Sequence, residues 1–348
     1  MLFIVSHHYV VNSGVLNETS ILPLSWRTTL LYVMGMWGKT GINCFVLITG
    51  YFMCKSNITL RKFLKLTLEV FFWNFILSAI FAISGYADFS PFSFIYALLP
   101  IKSINSGFVS CYLLFFLFIP FLNILINNIT QKQHKWLICL LLFVYTIMGS
   151  SFIIDVTVNY ITWFCALYII ASYIRLYDFR HKDNMRPWIM SLIILIPIAI
   201  LSVVGITVIQ QHEGKILNFG NACFFVSDSN KFFATAISIC SFMLFRNLKI
   251  RQSKFINTIA ACTFSVLLIH GNSDIMRHWL WKDVCNVSGA YCSPYFILHA
   301  TSIPVLVFTA CTILEYIRIR TIETPLIELC LKAIERCKGK VIPIRTNG

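Results

Sequence analysis

Hydrophobic residues run along the whole chain in long segments that short polar connections separate. The apolar segments cover residues 1–13, 38–54, 66–85, 108–126, 137–154, 160–177, 188–210, 230–246, 255–271 and 295–314. About 20 apolar residues form a helix long enough to cross the hydrocarbon core of a bilayer. The pattern therefore predicts an all-α integral membrane protein, a bundle of about ten transmembrane helices.

The composition agrees with a membrane protein and leaves no stretch for a soluble domain. Hydrophobic residues make up 58% of the 348 residues and charged residues only 12%, whereas soluble domains carry about 25% charged residues. We expect one transmembrane domain over residues 1–317. Residues 318–348 are expected to form a basic cytoplasmic tail, which is either a short amphipathic helix at the membrane surface or a solvated segment.

The net charge of +14 is explained by membrane topology. Of the 28 lysines and arginines, 21 fall in the connections after even-numbered segments or in the tail. Cytoplasmic loops of membrane proteins carry such an excess of positive charge. The alternation predicts a multi-pass protein with both termini in the cytoplasm. The lipid bilayer is the expected partner of this surface, and nucleic acid is not expected to bind.

The 13 cysteines do not form a pattern typical of a metal site, because no CxxC motif and no Cys/His cluster occurs. No metal is predicted. Most of the cysteines lie inside apolar segments, where they behave as small hydrophobic residues. Cys285 and Cys292 share one outer connection, so a disulfide between them is an alternative to two free thiols.

Two adjacent histidines, His7 and His8, lie near the outer end of the first apolar segment, in MLFIVSHHYVV. Eleven residues of helix extend roughly 16 Å, about half of the hydrocarbon core. We therefore expect the natural start to lie upstream; a half-helix supported by its neighbours is the alternative. Neighbouring helical residues point about 100° apart, which predicts that only one of the two imidazoles faces the bundle.

Further ionisable residues within the apolar segments are few and include Lys39 and His270. Such residues are functional candidates by default because burying them in a membrane is costly. His270, followed by Asn272, is predicted on the same side of the membrane as His7 and His8. A hydrogen-bonded packing role is the alternative for each histidine, and Lys39 could simply extend its amine to the interface.

A basic run, Arg61, Lys62 and Lys65, precedes the third segment on the predicted cytoplasmic side. Cations placed together in this way suit the phosphates of a nucleotide-like molecule. Glu69 lies four residues after Lys65, so an ion pair between the two is the simpler interpretation.

Four stretches resemble the acyltransferase-3 family of integral membrane acyltransferases, which O-acetylate bacterial surface glycans. MLFIVSHHY resembles the second half of the family's first helix, and GKTGINCFVLITGYFM its second-helix motif. SGFVSCYLLFFLFIPFLN resembles the fourth helix. TFSVLLIH and the later RIRTIETP resemble the closing helices. The order and spacing of the four stretches make the resemblance more specific than any single motif.

The resemblance implies an O-acetyltransferase in the bacterial inner (plasma) membrane. Its acyl donor would be acetyl-CoA, with no permanently bound cofactor, and its acceptor a surface polysaccharide or a lipid-linked glycan. His8 matches the family's catalytic histidine, with His7 as the candidate if the register shifts by one. The CoA phosphates are assigned to Arg61, Lys62 and Lys65, and the acceptor to Lys39, His270 and Asn272.

The chain departs from the family pattern at three places. The family's basic residue, which precedes the histidine in the first helix, would fall before Met1. Thr49 replaces the usual serine before Gly50, and Gly107 replaces an expected aromatic residue.

Two questions stay open at the level of sequence. His8 could deprotonate the acceptor hydroxyl or carry the acyl group covalently. A transporter for a glycan intermediate is the alternative function, since ten spans with internal prolines would serve it too.

Overall fold

The computed structural model describes residues 1–19, 25–88, 90–102, 107–179, 181–214, 219–325, 328–329 and 332. Within these ranges the chain is helical and contains no strand. The α-helices are α1 Leu2–Val11, α2 Val15–Thr19, α3 Trp26–Gly35, α4 Gly38–Met53, α5 Leu60–Ile83, α6 Pro91–Leu98, α7 Phe108–Asn128, α8 Gln131–Leu141, α9 Tyr160–Leu176, α10 Met185–His212, α11 Phe219–Ala222, α12 Phe232–Asn247, α13 Lys254–His270, α14 Asp274–His278, α15 Val287–Tyr291 and α16 Phe296–Arg318. Three π-helical segments add Leu142–Ile147, Trp279–Val284 and Ile319–Glu323.

The all-α membrane fold is confirmed, whereas the number of spans stays a prediction. A helix occupies each of the ten predicted segments. By length and composition, five described helical stretches could cross a membrane, or six if one strongly bent pair is counted as a single span. The five are Trp26–Met53, Leu60–Ile83, Phe108–Asn128, Met185–His212 and Phe296–Glu323. The side of the membrane on which the termini lie also stays a prediction.

Polar residues at the segment boundaries start several of these helices. Thr59 accepts a hydrogen bond from the backbone of Lys62 and so begins α5. Thr130 and Gln133 form a reciprocal capping box at the start of α8. Such side chains satisfy the free N–H groups of a first turn, which explains why the basic connections change sharply into helix.

Helix α3 packs into the bundle against α1 and α10. From the sequence alone, the stretch LSWRTTLLYVMGMW, which is apolar with few charges, predicts a helix lying at the membrane surface. The structure instead joins α3 to α4 through Met36 and Trp37 as one apolar stretch.

The predicted amphipathic character of the tail rests on Leu326, Leu329 and Ile334, of which Leu326 and Ile334 lie outside the described residues.

The basic connections meet at one end of the bundle, which we call the basic end and define by Arg61, Lys62, Lys65, Arg175 and Arg246. The Lys65 amine lies 2.9 Å from Glu323. Arg175 donates to the Tyr51 hydroxyl at 2.9 Å, and Arg246 donates to that hydroxyl at 3.4 Å. The opposite end, where α1 finishes and α4 begins, is called the histidine end.

A buried ionic network ties α5, α13 and α16 together above the basic end. We call it the Arg318 network; its members are Glu69, Trp73, Ser265, Glu315, Arg318 and Glu323. Arg318 donates to both carboxylate oxygens of Glu315 at 2.7 Å and to Glu323. The Trp73 indole donates to Glu315 and Ser265, both at 2.9 Å, and Ser265 donates to Glu69 at 2.6 Å.

This network replaces the ion pair that sequence spacing suggests between Lys65 and Glu69. Lys65 bonds to Glu323 instead, and Glu69 accepts from Ser265. Glu69, Glu315 and Glu323 lie close enough together to ligate a metal ion. The guanidinium of Arg318 is bound among them and supplies the positive charge.

Close packing of α4 against α9 depends on Gly50. A Cβ atom at this position would lie 2.9 Å from the Cβ of Ala171 and 3.0 Å from the Cα of Tyr168. Backbone cannot yield as a flexible side chain does, so an added methyl group overpacks this contact.

We predict that Gly50→Ala lowers the free energy of unfolding by about 1–3 kcal/mol, the usual cost of overpacking. Gly205→Ala is the matched control, because this glycine is also helical but has open space around its Cα. It is expected to be neutral or to stabilise by up to about 1 kcal/mol. Thermal unfolding of both variants in detergent measures the difference. Equal midpoints would contradict the packing argument.

Candidate active site

A cavity of about 660 Å³ opens at the histidine end of the bundle. Its walls come from α1, α4, α5, α6, α7, α9 and α13, and from the segments that follow α6 and α13. The polar residues of the wall include His7, His8, Lys39, Asn74, Ser78, Lys102, Tyr160, Asn272, Asp274 and Arg277. The volume falls within the range of ordinary ligand pockets, so the cavity is the candidate active site.

A break in the helix after His270 forms part of the cavity wall. Helix α13 and the following helical segment from Asp274 to Val284 meet at an angle of 94°. Ser273 restarts the helix by accepting from the backbone of Met276. Irregular backbone at membrane depth is tolerated where it lines a cavity, and this break brings Asn272 and Arg277 to the site.

Both histidines of α1 line the cavity, contrary to the expectation that only one would face the bundle. The reason is that α1 is surrounded by α3, α4, α13 and α16, so much of its circumference is interior. His7 Nδ1 lies 2.6 Å from the carbonyl oxygen of Gly35 and donates to it. Gly38 leaves the space that this ring fills, because a Cβ there would lie 2.4 Å from His7 Cγ.

His8 lies between the cavity and His270. The centroids of the two rings are 4.9 Å apart. His270 is completely buried and does not belong to the cavity wall. The structure thus brings the imidazoles of two distant segments together, but it places His270 behind His8 rather than at a position facing substrate.

Lys39 is held in the wall by two neighbours and does not extend to the surface. Its amine donates to the Tyr160 hydroxyl at 2.5 Å and lies 3.7 Å from the carboxylate of Asp228. Asn272 donates to Asn74 at 3.0 Å, which ties the broken helix to α5. Lys39 and Asn272 therefore line the same cavity as His7 and His8.

Several wall residues were not identified from the sequence, among them Lys102, Arg277, Asn74 and Tyr160. Lys102 and Arg277 do carry a signal. They belong to the few cations predicted on the outer side, where the topology rule does not require positive charge. Asn74 and Tyr160 give no such signal, since an isolated polar residue in an apolar segment has many explanations.

The predicted phosphate-binding residues lie away from this cavity. Arg61, Lys62 and Lys65 occupy the first turns of α5, whereas Asn74 of the same helix lines the cavity. Thirteen residues separate Arg61 from Asn74, roughly 20 Å along a helix. On α5 the wall begins at Val70, and the Arg318 network fills the space between Val70 and the basic end.

The two cysteines of the outer connection are free thiols. Cys285 is half-buried and Cys292 exposed, and the structure forms no disulfide between them.

A comparison with protein families identifies the chain. The model of the acyltransferase domain of family 3 matches residues 1–316. The chain belongs to the acyltransferase-3 family. No curated protein and no solved structure matches it.

Family membership covers the fold and the class of reaction. An acyltransferase-3 protein is a membrane acyltransferase, so this chain is one as well. The matched region contains every element of the cavity wall together with the basic start of α5.

Proposed function

We propose that the protein transfers an acetyl group from acetyl-CoA to a hydroxyl group of a cell-surface polysaccharide or lipid-linked glycan. The observation that carries the proposal is the imidazole of His8 in the wall of a membrane-protein cavity. Histidine is the usual general base near neutral pH. Family membership supplies the acyl-transfer chemistry.

In the proposed reaction His8 takes the proton of the acceptor hydroxyl. The oxygen attacks the thioester carbonyl, the carbon–sulfur bond breaks, and the CoA thiolate leaves and takes up the proton from the imidazolium. A variant of this route passes the acetyl group first to His8 and then to the acceptor. Both routes require an unprotonated ring nitrogen facing the cavity.

Lys102 in the cavity wall favours reactants that carry negative charge. Lys39 and Arg277 are each paired with an aspartate, Asp228 and Asp274 respectively. Lys102 also lines the cavity, and burial lowers the pKa of its amine. An anionic group bound nearby would compensate that burial. This supports an acceptor that carries a carboxylate or phosphate, and it supports stabilisation of the negative charge on the attacked carbonyl.

The donor's phosphates are assigned to Arg61 and Lys62 at the basic end. Both residues are exposed, and Lys62 is oriented by donation to the carbonyl oxygen of Asn57 at 3.1 Å. From there the thioester arm has to pass the Arg318 network to reach His8. Donor binding is therefore proposed to displace part of that network.

We predict that the double variant Arg61→Ala/Lys62→Ala raises the KM for acetyl-CoA about tenfold, since one charge-assisted hydrogen bond contributes about 1.5–3 kcal/mol. Acetyl-pantetheine carries no phosphate, so its KM should not change. Arg251→Ala, at another exposed position of the basic connections, is the control. Equal KM increases for both donors would contradict the assignment.

The function itself is tested on the surface glycan of cells with and without the gene. Loss of acetyl groups from an intact polymer supports the transferase. Returning the gene should restore acetylation of the polymer only while the cells synthesise acetyl-CoA. Loss of the polymer itself would overturn the proposal and support the transporter.

A further inference from the structure

Behind His8 lie buried nitrogen atoms without hydrogen-bond partners. Among the described residues, His8 Nδ1 and His270 Nε2 are both buried and unpartnered. Their rings lie 4.9 Å apart, centroid to centroid. Buried polar atoms are nearly always paired, and each exception requires an explanation. Two such atoms on neighbouring imidazoles point to an interaction between the rings.

The hydrogen bond of His270 Nδ1 shows which ring nitrogen of His270 carries the proton. His270 Nδ1 lies 2.5 Å from the carbonyl oxygen of Val266. Because a carbonyl oxygen only accepts, Nδ1 must carry a proton. In the neutral ring Nε2 then has a free electron pair and acts as an acceptor. His270 is thus oriented, by its own helix, as an acceptor beside His8.

We propose that His270 is a positioning residue that keeps the proton of His8 on Nδ1, so that His8 presents an unprotonated Nε2 to the cavity. This rests on the proposed function of His8 and goes beyond it by naming what prepares the ring. A histidine that acts as base or nucleophile needs a defined tautomer, which the group bound to its other nitrogen selects.

Two further buried nitrogens without partners lie in this region. They are Trp281 Nε1, whose ring packs edge-on to His270 at 6.2 Å, and Asn12 Nδ2, one helical turn after His8. Both nitrogens only donate hydrogen bonds, so neither competes with His270 Nε2 as an acceptor for the His8 Nδ1 proton.

The neighbouring charged groups do not offer His8 another partner on this side. Lys39 and Arg277 line the cavity, and each is bound to an aspartate. His7 uses its Nδ1 for the carbonyl oxygen of Gly35. Among the described titratable groups near His8, His270 is the one whose unpartnered acceptor nitrogen, Nε2, is buried beside His8 Nδ1.

The test is nitrogen NMR of the full-length protein, labelled with ¹⁵N-histidine and embedded in lipid nanodiscs. Correlations between ring nitrogens and ring protons report which nitrogen carries the proton, and comparison with His8→Gln assigns the His8 signals. We expect Nδ1 of His8 to be protonated in the unmodified protein. In His270→Phe the proton should move to Nε2, because the acceptor is gone while the ring shape is kept.

His134→Phe is the matched control. His134 is also fully buried, binds one backbone carbonyl, that of Ile169, through Nε2 at 2.9 Å, and leaves its Nδ1 unpartnered. Its loss should leave the His8 tautomer unchanged. A His8 proton on Nε2 in the unmodified protein, or one that stays on Nδ1 in His270→Phe, overturns the proposal.

Kinetics provide a second readout, and His270→Gln provides a second variant in case His270→Phe fails to fold. His270→Gln retains a side-chain oxygen as acceptor and should keep the Nδ1 tautomer and most of kcat. His270→Phe should lower kcat about 10–100-fold, the effect of losing a partner that orients a metal-bound histidine, with KM unchanged. The tautomer is measured without acyl transfer, so failure of the proposed function leaves that test intact and separately interpretable.

Discussion

Replacing His8 by glutamine is expected to lower kcat for acetyl transfer by a factor of about 10²–10⁴, the usual contribution of a general base. Glutamine keeps a polar side chain of similar reach but cannot take up a proton at neutral pH. The loss should appear in kcat more than in KM, because the imidazole acts on the transferring proton rather than on substrate binding. Native membranes that contain the acceptor glycan, supplied with labelled acetyl-CoA, provide the assay.

His7→Gln is the comparison for this experiment, since both histidines line the cavity. His7 already donates to Gly35 through Nδ1 and packs against Gly38, so its loss should mainly disturb local packing and retain most of the activity. A large loss in His7→Gln with full activity in His8→Gln would transfer the catalytic role to His7. Full activity in the double variant would exclude both histidines from the chemistry.

The largest effect on stability is expected from Arg318→Met. This substitution removes the cation that binds Glu315 and Glu323. Glu323 retains Lys65 as a partner, whereas the buried carboxylate of Glu315 is left without a cation. Breaking a buried ion pair on one side costs about 3–5 kcal/mol. Since Glu315 is fully buried and Arg318 only 4% exposed, water gives little relief. The midpoint of thermal unfolding in detergent should fall markedly.

Arg320→Met is the matched control for Arg318→Met. It makes the same substitution two residues later, at an exposed arginine whose described contact is with the ring of Tyr316. Its unfolding midpoint should stay close to that of the unmodified protein. Glu315→Gln, added to Arg318→Met, should recover part of the loss because the uncompensated charge is removed. Equal midpoints for Arg318→Met and Arg320→Met would contradict the network.

The helical class and the position of the helices follow directly from the apolar segments. The segments are apolar and contain few charges, and an α-helix satisfies the hydrogen bonds of its backbone within the segment itself, as lipid requires. The pairing of distant residues cannot be read in this way. Lys65 has an acidic residue four positions away, yet its partner Glu323 lies 258 residues later, because α16 runs back to the basic end.

The sequence identifies some residues of the candidate site but not all of them. His7, His8 and Lys39 are conspicuous as ionisable residues in apolar surroundings, and the structure places all three in one cavity wall. The break after His270 gives no clear signal in the sequence, although it brings Asn272 and Arg277 to the cavity. The proposed role of His270 depends on which nitrogen is buried beside which ring, and only three-dimensional packing determines that.

In the structure, the route from the basic end to His8 is blocked. The Arg318 network lies between Lys65 and the cavity. The proposed function places acetyl-CoA at one face of the membrane and the acceptor hydroxyl at the other.

Sided labelling in sealed membrane vesicles tests this central claim most directly. Labelled acetyl-CoA is supplied either to the face that carries Arg61 and Lys62 or to the face with the histidine cavity, in vesicles of both orientations. Labelled glycan is expected only when the donor meets the Arg61 face, and none is expected with His8→Gln. Equal labelling from the cavity face would contradict it.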